Sequence, residues 1–181
     1  MRWPRYLHLK GETMTKMLKE IHPEEIKDNP FTLIGKDGML VTAGEHASFN
    51  TMTAAWGGLG VLWAKNVCFS VIRPVRYTYT FIERSDVYTL CFFEDRYKDA
   101  LTLCGTKSGR ETDKVAETGL TPVLDDGPIY FEEARLVFQC RKLYFQDLIP
   151  ANFKDRAIDA FYPQKDYHRL YVGEITRCLA R

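Results

Sequence analysis

From Met39 onward the chain is a succession of short β-rich runs broken by glycine, proline or asparagine, and this rhythm constrains the fold more than any other feature. The runs are MLVTAG (39–44), FNTMTAAWGG (49–58), NVCFSVIR (66–73) and VYTLCFF (87–93). The segment IYFEEARLVFQCRKLYFQDLI (129–149) reads as a long strand or a hairpin-like pair, alternating odd and even from Arg135 to Tyr144. HRLYVGEITRCLA (168–180) is the last strand. The intervening segments are helical. In PVRYTYTFIERS (74–85), Pro74 opens a helix whose Tyr77, Phe81 and Ile82 fall on one face. YKDALTLCG (97–105) predicts a helix with Gly105 as its C-cap, and ETDKVAETG (111–119) a short helix ending at Gly119. FKDRAIDAFY (153–162) is another short helix, and HPEEIKDN (22–29) a polar turn. Many strands with few helices predict a mainly β barrel carrying helical inserts.

The chain has 181 residues, enough for one domain with a sizeable core. Residues 1–13 do not share the character of the rest of the chain and are expected to be an N-terminal extension, leaving 14–181 as the single domain. A formal net charge of +1 argues against a nucleic-acid surface. No apolar run reaches the ~18 residues of a membrane helix, and the N-terminus lacks a signal-type apolar stretch, so neither membrane nor nucleic acid is an expected partner. Five scattered cysteines without a CxxC predict reduced core thiols in a cytoplasmic protein. The histidines are too dispersed for a metal site.

Chemistry concentrates in CGTKSGRETDK (104–114). It does not meet the Walker pattern G-x-x-x-x-G-K-[ST], and WGGLG (56–60) does not meet the dinucleotide pattern G-x-G-x-x-G. What remains is a loop of small residues with a hydroxyl at Ser108 and charges at Lys107, Arg110 and Lys114. Thr112 or Asp113 would cap the next helix, whose N-terminus favours an anion. In NTMTAAWGG (50–58), Asn50, Met52 and Ala54 share one strand face, and Thr51, Thr53 and Ala55 the other. A planar heterocycle with carbonyl and N–H edges would use such polar side chains. Past the next strand, Ser70, Arg73, Arg76 and Thr78 offer two guanidiniums and two hydroxyls for a phosphate.

Taken in order, NTMTAAWGGLG, VIRPVRYTYTFIE, YTLCFF, ALTLCGTKSGRETDKV, GLTPV and YHRLYVGEI resemble the flavin reductase-like family of FMN-binding split-barrel proteins, in its flavoredoxin-like branch. The resemblance runs from about Asn29 to Leu179. It implies a six-stranded antiparallel split β-barrel, usually a homodimer, with FMN as cofactor. On that resemblance Ser108 and Lys114 hold the phosphate, with Arg76, Thr78 and the backbone of Gly105 and Gly109. Asn50, Thr51, Met52, Thr53 and Ala54 line the ring, with Trp56 and Cys104 as neighbours. Family members that use nicotinamide often carry Gly-Asp-His before the last strand. Here the matching residues are Asp166, Tyr167 and His168, so only the histidine is kept. His168 is the candidate substrate contact, and the departure bears on NADH or NADPH use rather than on FMN. Three readings are open: an FMN-dependent NAD(P)H oxidoreductase, a flavoredoxin-type electron carrier docking a redox partner protein, or a non-catalytic FMN-binding interaction domain.

Overall fold

The computed structural model describes residues 17–125 and 127–181. The expected extension, 1–13, lies outside them. Ten strands form among the described residues: β1 (Lys19–Ile21), β2 (Met39–Glu45), β3 (Ser48–Ala54), β4 (Gly57–Leu62), β5 (Lys65–Ile72), β6 (Val87–Phe92), β7 (Pro122–Val123), β8 (Tyr130–Phe131), β9 (Leu136–Asp147) and β10 (Arg169–Ala180). The α-helices are α1 (Pro30–Thr32), α2 (Tyr77–Arg84), α3 (Lys98–Thr106) and α4 (Lys114–Thr118), with a π turn at Leu33–Asp37 after α1.

Eight strands make one antiparallel sheet in the order β3-β2-β6-β9-β10-β5-β4, with β1 added along β10. The six expected strands are the continuous path from β3 to β5, whose ends approach each other. The two extra ones are edge additions: β4 folds back as a hairpin on β5, and Lys19–Ile21 pairs with Cys178–Ala180. The segment 129–149 is neither one long strand nor a simple hairpin. Tyr130–Phe131 pairs with Pro122–Val123 instead, and the long strand starts at Leu136.

The alternation of side chains sorts the apolar residues into two cores. Met39, Val41, Tyr88, Leu90, Phe92, Phe138 and Cys140 point into the barrel, whereas Leu40, Cys91 and Val137 point outward beneath Leu101, Cys104 and Phe131. Strands β2, β6 and the first half of β9 are therefore buried on both faces and read as near-continuous apolar runs. The second half of β9 leaves the sheet's shelter, and Tyr144 and Phe145 are exposed.

Helix α2 sits where the sequence placed it. Its Thr78 and Ile82, four residues apart, are buried. Three side chains from the sheet clamp its C-terminal turn. Lys142 donates to the carbonyl of Ile82 at 2.7 Å, Tyr171 donates to the Glu83 carboxylate at 2.6 Å, and Arg169 pairs with the same carboxylate at 2.7 Å. Helix α3 runs through Gly105 to Thr106, with Lys107 as C-cap, so Gly105 is not the cap. Its place is explained by approach: a Cβ there would lie 3.3 Å from Cβ of Thr53 on β3. Gly119 does close α4, in the left-handed region at φ 68°. The segment 153–162 forms a 3-10 helix at Arg156–Phe161.

Inside the barrel, Gly173 on β10 makes room for its neighbours Tyr88 and Cys140. A Cβ at this position would lie 2.3 Å from the Tyr88 hydroxyl and 3.1 Å from Cβ of Cys140, and both side chains are buried. Gly173→Ala is expected to destabilise the fold by about 1–3 kcal/mol through overpacking, read as a lower midpoint in chemical denaturation with an unchanged slope.

Candidate functional site

The turn Arg73–Arg76, closed by Arg76 N–H donating to the Arg73 carbonyl at 3.0 Å, carries the chain from β5 into α2. Its two arginines diverge and anchor two adjoining clusters, one cationic and one aromatic.

The first cluster surrounds a cleft of about 150 Å³ lined by Asn50, Met52, Val75, Arg76, Tyr77, Thr78, Cys104, Thr106, Lys107, Ser108, Gly109 and Lys114. Three of these are cations, three carry hydroxyls from Ser or Thr, and none is a carboxylate. No side chain caps the N-terminus of α2, which begins at the cleft wall. An uncapped helix start with its dipole and free N–H groups favours an anion. Sequence reasoning assigned that role to α4. There Asp113 caps the helix, accepting from Ala116 N–H at 3.1 Å, so its own carboxylate holds the position an anion would take.

Lys114 is the most buried charge in the cluster, 6% exposed. Its ammonium donates to the carbonyls of Thr51 at 2.8 Å and Cys104 at 2.9 Å, tying the loop to β3 and α3. Burial pushes its pKa below the ordinary lysine value, and the charge of Arg76 acts in the same sense. An added anion would offset both. Asn50 donates to the Thr78 hydroxyl at 2.7 Å, and Arg76 to the Gly105 carbonyl at 3.2 Å. Gly109 rests on Asn50 so closely that a Cβ would fall 2.0 Å from its Oδ1. Ser108 accepts from the N–H of Arg110 at 3.2 Å. Burial raises the Cys104 thiol above its usual pKa, which keeps it protonated beside the cleft. A second, wider cleft of about 600 Å³ adjoins the first, sharing Asn50, Gly109 and Lys114 and adding Thr51.

The second cluster gathers Arg73, Asp166, Trp56 and His168 with two residues sequence reasoning missed, Phe161 and Tyr162. Arg73 pairs with Asp166 at 3.1 Å, donates to the Phe161 carbonyl at 2.8 Å and lies over the Tyr162 ring. The His168 ring sits 5.0 Å from Trp56, and its Nδ1 is 2.8 Å from the Tyr162 hydroxyl. The signal for the missed pair was the aromatic density of FYPQKDYH (161–168), of which Phe161 and Tyr162 are read above only as the end of a short helix.

Thus Asn50, Met52, Arg76, Thr78, Cys104, Ser108, Gly109 and Lys114 converge on the small cleft, and Trp56, Arg73 and His168 on the aromatic cluster. Five candidates lie outside both, of which Thr51 borders only the wider cleft. Ser70 is sealed in the barrel wall with no hydrogen-bond partner among the described residues. Thr53 donates to the Leu101 carbonyl at 2.5 Å, fastening α3, and Ala54 is buried in the barrel core. Gly105 contributes its carbonyl to Arg76 rather than an N–H to the cleft. All five cysteines are free and buried, no group of metal-ligating side chains occurs among the described residues, and none of their helices is long and apolar enough to cross a membrane.

Comparison with known proteins fits this architecture. The family profile described as "Flavin reductase like domain" matches residues 34–181, and the chain belongs to that family. Among solved structures it is similar to an FMN-binding protein from Thermus thermophilus with bound 1-cyclohex-2-enone, at 19% identity over 98% of this chain and 80% of that one, TM-score 0.62. It is also similar to the flavoredoxin of Desulfovibrio vulgaris (Miyazaki F), at 20% identity over 96% and 77%, TM-score 0.62. A more distant likeness is the styrene monooxygenase flavin reductase of Pseudomonas putida S12, at 11% identity over 78% of each chain, TM-score 0.57. No curated protein sequence matched the chain. At these identities the structural likeness establishes the split-barrel fold.

Burial, with the charge of Arg73 acting in the same sense, lowers the pKa of His168 from 6.5 to about 4. The folded protein therefore keeps this ring neutral where the unfolded chain protonates it. Stability is retained above pH ~6.5 and lost as pH falls towards 4. We expect a loss on the order of 2 kcal/mol between pH 7 and pH 4.5 that His168→Gln does not show, measured by urea denaturation across that range.

Proposed function

We propose that the chain is an FMN-binding oxidoreductase that passes hydride or electrons between NADH or NADPH and FMN. The observation that carries the reading is the small cleft, which sets Arg76, Lys107 and Lys114 with Thr78 and Ser108 around a space free of carboxylates. That donor set fits a phosphate monoester, whose dianion would compensate a buried ammonium and a bare helix start. The similar structure described as an FMN-binding protein supports the same ligand, and those described as a flavoredoxin and a flavin reductase support flavin chemistry.

FMN, when bound, supplies one- and two-electron chemistry at its ring. The protein's part is position and field. Lys114, Arg76 and Ser108 would grip the phosphate. Asn50 and Thr51 on β3 border the wider cleft, and Asn50 would offer hydrogen bonds to a heterocycle edge. Neutral His168 would contact the hydride donor as a hydrogen-bonding group without adding charge. No side chain is asked to act as nucleophile or general base.

A second reading, a flavoredoxin-type carrier docking a redox protein, is favoured by one observation. Arg73 and Tyr162 already engage Asp166 and His168, and Trp56 covers the histidine ring, which narrows room for a nicotinamide. A homodimer belongs to the same proposal: the exposed Val61, Trp63, Tyr144 and Phe145 are the surface a second copy would cover.

The purified protein is expected to bind FMN with a flavin absorbance spectrum and to bleach anaerobically with NADH or NADPH. Binding without bleaching selects the carrier. Ser108→Ala and Arg76→Gln should each weaken FMN about 10- to 100-fold, as expected for losing charge-assisted bonds, and weaken riboflavin far less. Equal losses for both ligands, measured by fluorescence titration, would show that the cleft does not hold the phosphate.

A further inference from the structure

The aromatic cluster contains a device that the oxidoreductase reading leaves unassigned. Tyr162, 2% exposed, ends the 3-10 helix Arg156–Phe161, and its hydroxyl faces Nδ1 of His168 at 2.8 Å. A neutral imidazole carries one N–H, on Nδ1 or on Nε2, and the partner of one nitrogen decides which.

Two arrangements fit the distance. In one, Nδ1–H donates to the phenol oxygen, and the phenol's own proton then needs another acceptor. Among the described residues the hydroxyl has none besides Nδ1. The proton would be buried without a partner, a costly state. In the other, the phenol donates to Nδ1. The phenol proton and Nδ1 then satisfy each other. The remaining nitrogen, Nε2, makes no hydrogen bond to the protein among the described residues and is not one of its sealed polar atoms.

We propose that Tyr162 is a positioning residue that fixes His168 as the Nε2–H tautomer, so that the ring offers a hydrogen-bond donor, and never an acceptor, to a carbonyl-bearing ligand. The carboxamide of a reduced nicotinamide and the carbonyl of an enone are of that class. The charged groups facing His168 are Arg73, Asp166 and Arg76; burial, with the two arginines acting in the same sense and Asp166 opposing them, keeps the ring neutral over the range in which the tautomer matters. Arg73 also lies over the Tyr162 ring, and Phe153 and Tyr167 pack on it, so the phenol is held from three sides. Asp166, through its pair with Arg73, and Tyr167, through its packing on Tyr162, are thus part of the support for this pair.

The ligand class rests on the proposed function, whereas the tautomer does not, and the test separates them. Protein labelled with 15N-histidine is examined by NMR at pH 7.5, with His168 assigned by its loss in His168→Gln. The expected spectrum has a protonated Nε2 and a bare Nδ1. A protonated Nδ1 in the wild type overturns the proposal, with or without bound flavin. In Tyr162→Phe the Nε2–H preference should fall, and an unchanged tautomer also overturns it. Should that variant fail to fold, the wild-type spectrum alone decides. With FMN bound, Tyr162→Phe should raise KM for NADH or NADPH about three- to tenfold while kcat changes less than twofold. An unchanged KM with the expected spectrum rejects the ligand class and leaves the tautomer standing.

Discussion

Everything in this molecule is arranged around three strands that are buried on both faces. Strands β2, β6 and β9 separate the barrel interior from a second core beneath α3, and the chain supplies apolar side chains to both sides. That two-sided burial rigidifies the strand to which the candidate site is fastened. β3 pairs with β2 from Met39↔Ala54 to Glu45↔Ser48, so Asn50 and Thr51 take their positions from the most buried part of the sheet. Helix α3 is held against the same strand by Thr53, and α2 is clamped from the opposite side by Lys142, Arg169 and Tyr171. The cleft lies where these two helices and β3 meet.

The split between the two clusters arises from one turn. Arg73 and Arg76 are three residues apart, yet one is committed to Asp166 and the aromatic group, the other to the end of α3 and the anion cleft. The turn therefore fixes the distance between the phosphate-binding candidate and the histidine. The two clusters are therefore joined by four residues of backbone, from Arg73 to Arg76.

Much of the fold was legible because the strands carry their signal locally. The run from Met39 to Phe93 and the last strand have β-branched and aromatic residues between breakers, and α2 showed its helical spacing at Tyr77, Phe81 and Ile82. The extra strands were not legible. β1 is three residues long and exists only because β10 offers it an edge, and the glycine-rich β4 has weak strand propensity of its own. Gly105 looked like a helix end because sequence does not show that Thr53 approaches it. Of the candidate site, the cations and hydroxyls of 104–114 could be named from composition, whereas the uncapped start of α2 could not, since it depends on what Arg76 does in space. Tyr162 was invisible for a similar reason: its partner is six residues away across an irregular linker with no periodic signal.

Lys114 has a consequence that concerns stoichiometry and timing. An ammonium has three N–H bonds, and two of them are directed at the carbonyls of Thr51 and Cys104 before any ligand arrives. One donor remains, and its direction is set by the other two. The rotamer freedom of this long side chain is lost when the chain folds rather than when an anion enters the cleft. An anion entering the cleft would meet the lysine as a fixed point, so the loop around it, and not the cation, would be the part left to adapt.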